Sequence, residues 1–168
     1  MISTQMQDVF NDLIQVENNS AFLYLAMSNY FNTLGLRGFG QWFRVQYEEE
    51  LGHALKLTDH LIDRNAVIEI KPIPQQPVTF GTATEAFQQL LAHEQDVTQM
   101  YKKAYEIAKK EKDPQSLEIF LEFLKEQVEE EGQVYDILGK LQINKENPAG
   151  ILLLDQELGK EAVTMAVD

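Results

Sequence analysis

Three neighbouring glutamates and a histidine are the first residues in the sequence that could do chemistry. The segment YEEELGHALK, residues 47–56, contains these glutamates and His53, and it has no lysine or arginine before Lys56. On a solvated helical face, basic residues normally alternate with glutamates and relieve their repulsion. Because that relief is missing here, either water or a bound cation must screen the charges. Glu50 and His53 stand at i and i+3, so a helix would place them on one face.

Polar residues interrupt the apolar stripe near the middle of each of four long segments with helical periodicity. They are Glu17 on the first segment, Glu50 and His53 on the second, Glu94 on the third, and Gln127 and Glu130 on the fourth. Glu17 and Glu50 are separated by as many positions as Glu94 and Gln127. If each pair of segments forms a helical hairpin, all these residues lie at one level of the bundle.

A cluster of buried carboxylates needs cations to be stable. Without them each ion costs several kcal/mol to bury, and the carboxylates must take up protons or push the helices apart. The chain has no cysteine, so the available ligands are oxygen atoms and one imidazole, a set that suits Fe(II) or Mn(II). Zinc could bind adventitiously, and the histidine disfavours calcium. The pattern therefore predicts a metal site, with a solvated acidic face as the alternative.

The elements that must position these residues are predicted to be helices. Apolar periodicity and helix-stop residues predict four long helices and a short, apolar C-terminal fifth one, at about 5–34, 38–64, 84–111, 114–142 and 148–160. Residues 66–81 contain three prolines and are predicted to be extended. About 16 extended residues span roughly 50 Å, the length of a long helix. The prediction is one all-α domain over residues 1–168, with two antiparallel hairpins joined by a long crossover.

Composition excludes several classes of function. The chain of 168 residues is 44% hydrophobic, enough for one core, and its net charge of −13 disfavours binding to nucleic acid. The absence of cysteine fits a reducing compartment. The N-terminal segment is polar, and no stretch approaches the roughly 18 apolar residues of a membrane span. We therefore expect a soluble, cytoplasmic protein with no membrane or nucleic-acid partner.

These residues, together with the surrounding sequence, resemble the diiron centre of the non-haem ferritins of bacteria and archaea. The residues that carry the resemblance are Glu17, Tyr24, Glu50-x-x-His53, Glu94 and Gln127-x-x-Glu130. It extends to the segments LYLAMSNYF, GLRGFGQWFR, EFLKEQVEEE and LLLDQEL, and so covers nearly the whole chain. The resemblance implies the ferritin-like variety of four-helix bundle.

The resemblance also implies a role for each site residue. Glu17 and His53 would bind the first iron, and Glu50 would bridge to the second. The remaining residues that the resemblance assigns are Glu94 and Glu130 as ligands of the second iron, Gln127 and Tyr24 as neighbours of the ligands, and Glu49, Glu126 and Glu129 as a third, weaker iron site. Leu51 and Glu130 stand where the related bacterioferritins have a haem-binding methionine and a second histidine, so we predict no haem.

The function implied by the resemblance is iron storage with ferroxidase activity. Two Fe(II) ions, about 3.5 to 4 Å apart, would be oxidised by O2 or H2O2 and stored as mineral inside a homo-oligomeric shell of 24 subunits. A diiron oxidase that acts on an organic substrate is the alternative, although such enzymes usually have two histidines at the metals and a longer chain. A DNA-protecting miniferritin and a metal-free structural bundle are further alternatives.

Overall fold

The computed structural model describes residues 2–145 and 147–160. In these residues the chain forms five helices and no strand: α1 (Thr4–Thr33), α2 (Arg37–Asp63), α3 (Ala83–Glu111), α4 (Pro114–Asn144) and α5 (Pro148–Leu158). Each helix begins and ends within two residues of its predicted boundary. The all-α prediction is therefore confirmed. None of the described helices is both long enough and apolar enough to cross a membrane.

Local sequence explains where the helices begin. The N-cap side chains that accept a hydrogen bond from a backbone N–H of the first turn are Ser3 for α1, Thr82 for α3, Asp113 for α4 and Asn147 for α5. In α3 the side chain of Glu85 accepts a bond from the Thr82 N–H, which completes a capping box. Both α4 and α5 start with proline directly after the cap, where a missing N–H costs nothing.

The crossover, residues 66–81, lies along α1 and sets the topology. Its backbone bonds to α1 side chains in an order that advances along both segments: Val67 with Gln7, Glu69 with Asn11, Pro72 with Gln15, and Gly81 with Tyr30. The crossover therefore runs parallel to α1, and α3 starts at the end of the bundle where α1 finishes and α2 begins. Consequently α2 and α3 are parallel, as the length of the crossover predicts.

Two clusters of buried apolar side chains fill the bundle, one in each half. The predicted site residues occupy the gap between these clusters on every long helix: Glu17 between Ile14 and Tyr24, Glu50 between Phe43 and Leu57, Glu94 between Leu90 and Val97, and Gln127 between Phe123 and Val134. The two halves of the core thus enclose one polar layer. This layer is the level that the equal spacings predict.

The short helix α5 packs against the start of α2. Leu36, the N-cap residue of α2, provides no side-chain cap, and the side chain of Asp155 instead accepts a hydrogen bond from the Phe39 N–H at 2.9 Å. The contact requires glycine at position 38, because a Cβ there would lie 1.6 Å from the Asp155 carbonyl oxygen. Leu154 of α5 is buried within the same chain. Leu152 and Leu153 of the same helix are exposed.

Candidate metal centre

Glu17 of α1 and Glu50 and His53 of α2 converge at the middle of the bundle. One ligand atom from each residue lies within 4.8 Å of the other two. The Nδ1 atom of His53 is 3.3 Å from Glu50 Oε2 and 3.9 Å from Glu17 Oε2. Both glutamates are almost inaccessible, with 2% and 4% of their surface exposed. Among the residues that the structure describes, this is the one group of three side chains suited to hold a metal ion.

The second pair of helices supplies the other half of the polar layer. Gln127 of α4 donates a hydrogen bond from Nε2 to Glu94 Oε2 of α3, at 3.0 Å. The other oxygen of Glu94, Oε1, is buried and has no hydrogen-bond partner. A buried acceptor left without a partner is costly unless a cation occupies the space beside it. Glu130 lies one turn beyond Gln127 and is half-buried.

The carboxylates of the layer hold their protons far more tightly than ordinary glutamates do. Burial, together with the charges of Glu130, Glu49 and Glu126, raises the pKa of Glu50 to about 8. Burial also raises the pKa of Glu94 to about 7. For Glu17 and Glu130 the pKa is likewise raised well above the usual value, first by burial and then by the neighbouring carboxylates. A metal ion binding here must displace these protons.

The residues predicted for a third site are arranged less compactly. Glu126 reaches the centre from α4, with Oε2 at 3.6 Å from His53 Nε2 and without a hydrogen-bond partner. Glu49 accepts a hydrogen bond from Gln46 at 3.1 Å, and its charge contributes to the raised pKa of Glu50. Glu129 is exposed. The third site stays a prediction.

Tyr24 was predicted to lie beside the ligands. It is buried in one of the two apolar clusters that flank the polar layer. Its ring meets His93 edge-on with centroids 6.3 Å apart. A second tyrosine, which the sequence analysis missed, is the one that bonds a predicted ligand: the Tyr101 hydroxyl of α3 donates to Glu17 Oε1. Tyr101 follows Glu94 by the same two helical turns that separate Tyr24 from Glu17. That spacing could have identified it.

Thr98 and Glu131 extend the polar layer toward solvent between α3 and α4, and the sequence analysis missed both. Gln127 Nε2 also lies 3.4 Å from Thr98 Oγ1, and the Thr98 hydroxyl donates to Glu131 Oε1 at 2.6 Å. Nothing in the sequence marks them, because threonine and glutamate are common on exposed helical faces. They complete the hydrogen bonding around Gln127 rather than adding a ligand.

Comparisons with known proteins agree with this architecture. The family model for ferritin, described as a ferritin-like domain, matches residues 7–143. A bacterial non-heme ferritin from Bacteroides fragilis is 36% identical over 160 residues, which cover 95% of this chain and 99% of that protein. Another, from Staphylococcus haemolyticus, is 37% identical over 131 residues, or 78% of this chain and 79% of that protein.

Solved ferritin structures are similar over almost the full length. An open-pore ferritin from the hyperthermophilic archaeon Archaeoglobus fulgidus matches with a TM-score of 0.95 and 36% identity, covering 96% of this chain and 100% of that one. An engineered closed form of the Archaeoglobus fulgidus ferritin has the same TM-score and identity and covers 98% of this chain and 100% of that one. The likeness thus includes all five helices.

Proposed function

Because the chain belongs to the ferritin family, as a non-haem ferritin of the prokaryotic type, we propose that it stores iron and oxidises Fe(II) at the centre of its bundle. The observation that carries the proposal is the convergence of Glu17, Glu50 and His53 in a buried site whose carboxylates retain protons. Ordinary buried side chains in a core are apolar, and a cluster like this one is unfavourable unless a cation binds.

Each side chain of the centre has a defined part in this function. Glu17 and His53 bind the first Fe(II), and Glu50 bridges it to a second. Glu94 binds the second Fe(II) through its free oxygen Oε1, together with Glu130. Gln127 is neutral and holds the other oxygen of Glu94, so it adds no charged donor to the second iron, which favours release over permanent retention.

The reaction balances with O2 as the oxidant. Two Fe(II) ions each give one electron, and O2 takes up these two electrons and two protons to become H2O2. The carboxylates favour the product because negative ligands stabilise Fe(III), the more highly charged ion, more than Fe(II). H2O2 can in turn accept two electrons from a further pair of Fe(II) ions. Iron is therefore a substrate that passes through the centre.

Storage requires an enclosed space, which a single bundle does not provide. We propose that 24 copies of the chain form a hollow shell in the cytoplasm and that Fe(III) mineralises inside it. The net charge of −13 suits an inner wall that attracts cations. The third iron site at Glu49, Glu126 and Glu129 belongs to the same proposal, since Glu126 lies beside His53.

The experiment that tests the proposal compares iron oxidation by the wild type and by Glu50→Ala. Anaerobic protein is loaded with Fe(II) and mixed with air. A transient visible absorption should appear in the wild type, and the iron should then co-elute with the protein on gel filtration. Glu48→Ala is the matched control, because Glu48 lies on the same helix but is exposed. If the wild type oxidises iron no faster than Glu50→Ala, the proposal is wrong.

An oxidase acting on an organic substrate would need an apolar pocket at the metals. The bundle does have an apolar groove of about 400 Å³ between α1 and α3, lined by residues that include Val9, Val16, Met100 and Ile107. None of the proposed iron ligands lines it. The groove therefore does not support the alternative function.

A further inference from the structure

Tyr101 is held rigidly against a proposed iron ligand. It is completely buried in α3, and its hydroxyl donates a hydrogen bond across the bundle to Glu17 Oε1 of α1. The tyrosine ring stacks on Phe123 of α4, with centroids 4.8 Å apart and an angle of 7° between the planes. Phe123 in turn meets His53 edge-on at 5.3 Å. Burial and the stack on Phe123 therefore favour the ring position in which the phenol contacts Glu17.

The two carboxylate oxygens of Glu17 are not equivalent. Oε1 accepts the bond from Tyr101, whereas Oε2 lies 3.9 Å from His53 Nδ1, on the side of the proposed iron. A hydrogen bond occupies a lone pair on its acceptor and draws charge from it, so Oε1 is the weaker ligand. Glu94 shows the same division: Gln127 donates to Oε2, and Oε1 is left without a hydrogen-bond partner.

We propose that Tyr101 is a positioning residue that restricts Glu17 to binding iron through the single oxygen Oε2. The proposal rests on the proposed function, since it assigns a further residue to the same reaction. A carboxylate can bind a metal through one oxygen or through both. Holding Oε1 on a neutral donor prevents the two-oxygen mode, which would hold Fe(III) more tightly. Tyr101 therefore speeds the departure of Fe(III) and the recovery of the centre for the next pair of ions.

The coordination of Glu17 can be observed directly with Zn(II), which has no redox chemistry and binds carboxylate oxygens at about 2.0 to 2.2 Å. Crystals of the wild type soaked in Zn(II) should show one Glu17 oxygen on the metal and the other still bonded to Tyr101. Crystals of Tyr101→Phe should show both oxygens on the metal. Two bound oxygens in the wild type, or one in the variant, would overturn the proposal.

The kinetic test measures how quickly the centre recovers between two additions of Fe(II) in air. Phenylalanine keeps the stack on Phe123 and removes only the hydroxyl, so Tyr101→Phe should fold with a similar thermal midpoint. We expect recovery of the oxidation burst to be about tenfold slower, the usual scale for losing a hydrogen bond to a charged acceptor. Tyr105→Phe, one turn further along α3, is the matched control and should recover as the wild type does.

The outcomes separate this proposal from the proposed function. Recovery as fast in Tyr101→Phe as in the wild type overturns the role of Tyr101 while leaving ferroxidase activity intact. A parallel loss of Zn(II) binding and of the first burst also overturns it, because that result indicates a merely structural tyrosine. If the wild type itself neither binds Zn(II) nor oxidises Fe(II), the proposed function is wrong, and the role of Tyr101 is wrong with it.

Discussion

Replacing Glu50 with glutamine should stabilise the metal-free protein at alkaline pH and abolish its stabilisation by Fe(II). Glu50 is 4% exposed, and burial together with neighbouring carboxylates raises its pKa from the usual 4.5 to about 8. Because the folded-state pKa lies above the unfolded-state value, the proton on Glu50 stabilises the fold. That stabilisation is complete below about pH 4.5 and is lost as the pH rises toward 8.

The size of the effect follows from the pKa. At about 1.4 kcal/mol for each tenfold change in the ionisation constant, a rise from 4.5 to about 8 makes the ionised form roughly 5 kcal/mol less favourable in the folded state. The pKa of Glu17 is raised as well, first by burial and then by the charge of Glu50, so the two carboxylates share part of this cost. We therefore expect Glu50→Gln to add about 2 to 5 kcal/mol to the free energy of unfolding at pH 8.5, and little at pH 4.5.

Chemical unfolding of chelator-treated protein under argon, at pH 4.5 and at pH 8.5, measures this difference. Adding Fe(II) at about 100 times its dissociation constant should stabilise the wild type by about 2.7 kcal/mol and Glu50→Gln hardly at all. The control is Glu48→Gln, whose exposed carboxylate is 3.4 Å from Arg44 and should contribute at most about 1 kcal/mol. A pH-independent change in Glu50→Gln, or undiminished stabilisation of this variant by Fe(II), would refute the reasoning.

Three further predictions follow from the site and the fold. Fe(II) binding under argon at pH 7 should release protons from the carboxylates with raised pKa values; a titration in unbuffered solution that shows no acidification would contradict this. Glu126→Gln should lower the iron bound per subunit from about three to about two ions by elemental analysis; equal iron contents of this variant and the wild type would contradict the third site. Gly38→Ala should destabilise the protein by about 1 to 3 kcal/mol, because the new Cβ would overlap the Asp155 carbonyl. The control is Gly139→Ala, where a new Cβ meets open space, and it should leave the thermal midpoint equal or higher. Similar midpoints for Gly38→Ala and Gly139→Ala would show that α5 can shift.

Much of the fold was predictable because it follows from interactions between residues close in the sequence and from the lengths of the segments. Helix periodicity and N-cap residues such as Thr82 and Asp113 act within a few positions of each other, so the helix boundaries follow from short segments. The parallel arrangement of α2 and α3 follows from the length and the prolines of the crossover. Glu17 and Glu50 are separated by as many positions as Glu94 and Gln127. Because of this equal spacing, the site residues lie at one level once the two hairpins have formed.

Contacts between residues far apart in the sequence, and the orientations of individual glutamates, could not be predicted in this way. Asp155 caps α2 from a helix more than a hundred residues away in sequence, and no local pattern marks that pairing. Glu126 lies beside His53 whereas Glu129 is exposed, because the rotation of α4 about its axis decides which glutamates face inward.

The sequence by itself determined the helices, their order and the height at which the carboxylates meet, since these follow from periodicity, capping and counting. Only the tertiary structure decided that Tyr101 bonds Glu17, that Gln127 bonds Glu94, and that Glu94 Oε1 is left without a hydrogen-bond partner. These choices depend on helix rotations set by packing on both sides of the polar layer. The raised pKa values depend on them too, because burial and the distances between charges exist only in the assembled bundle.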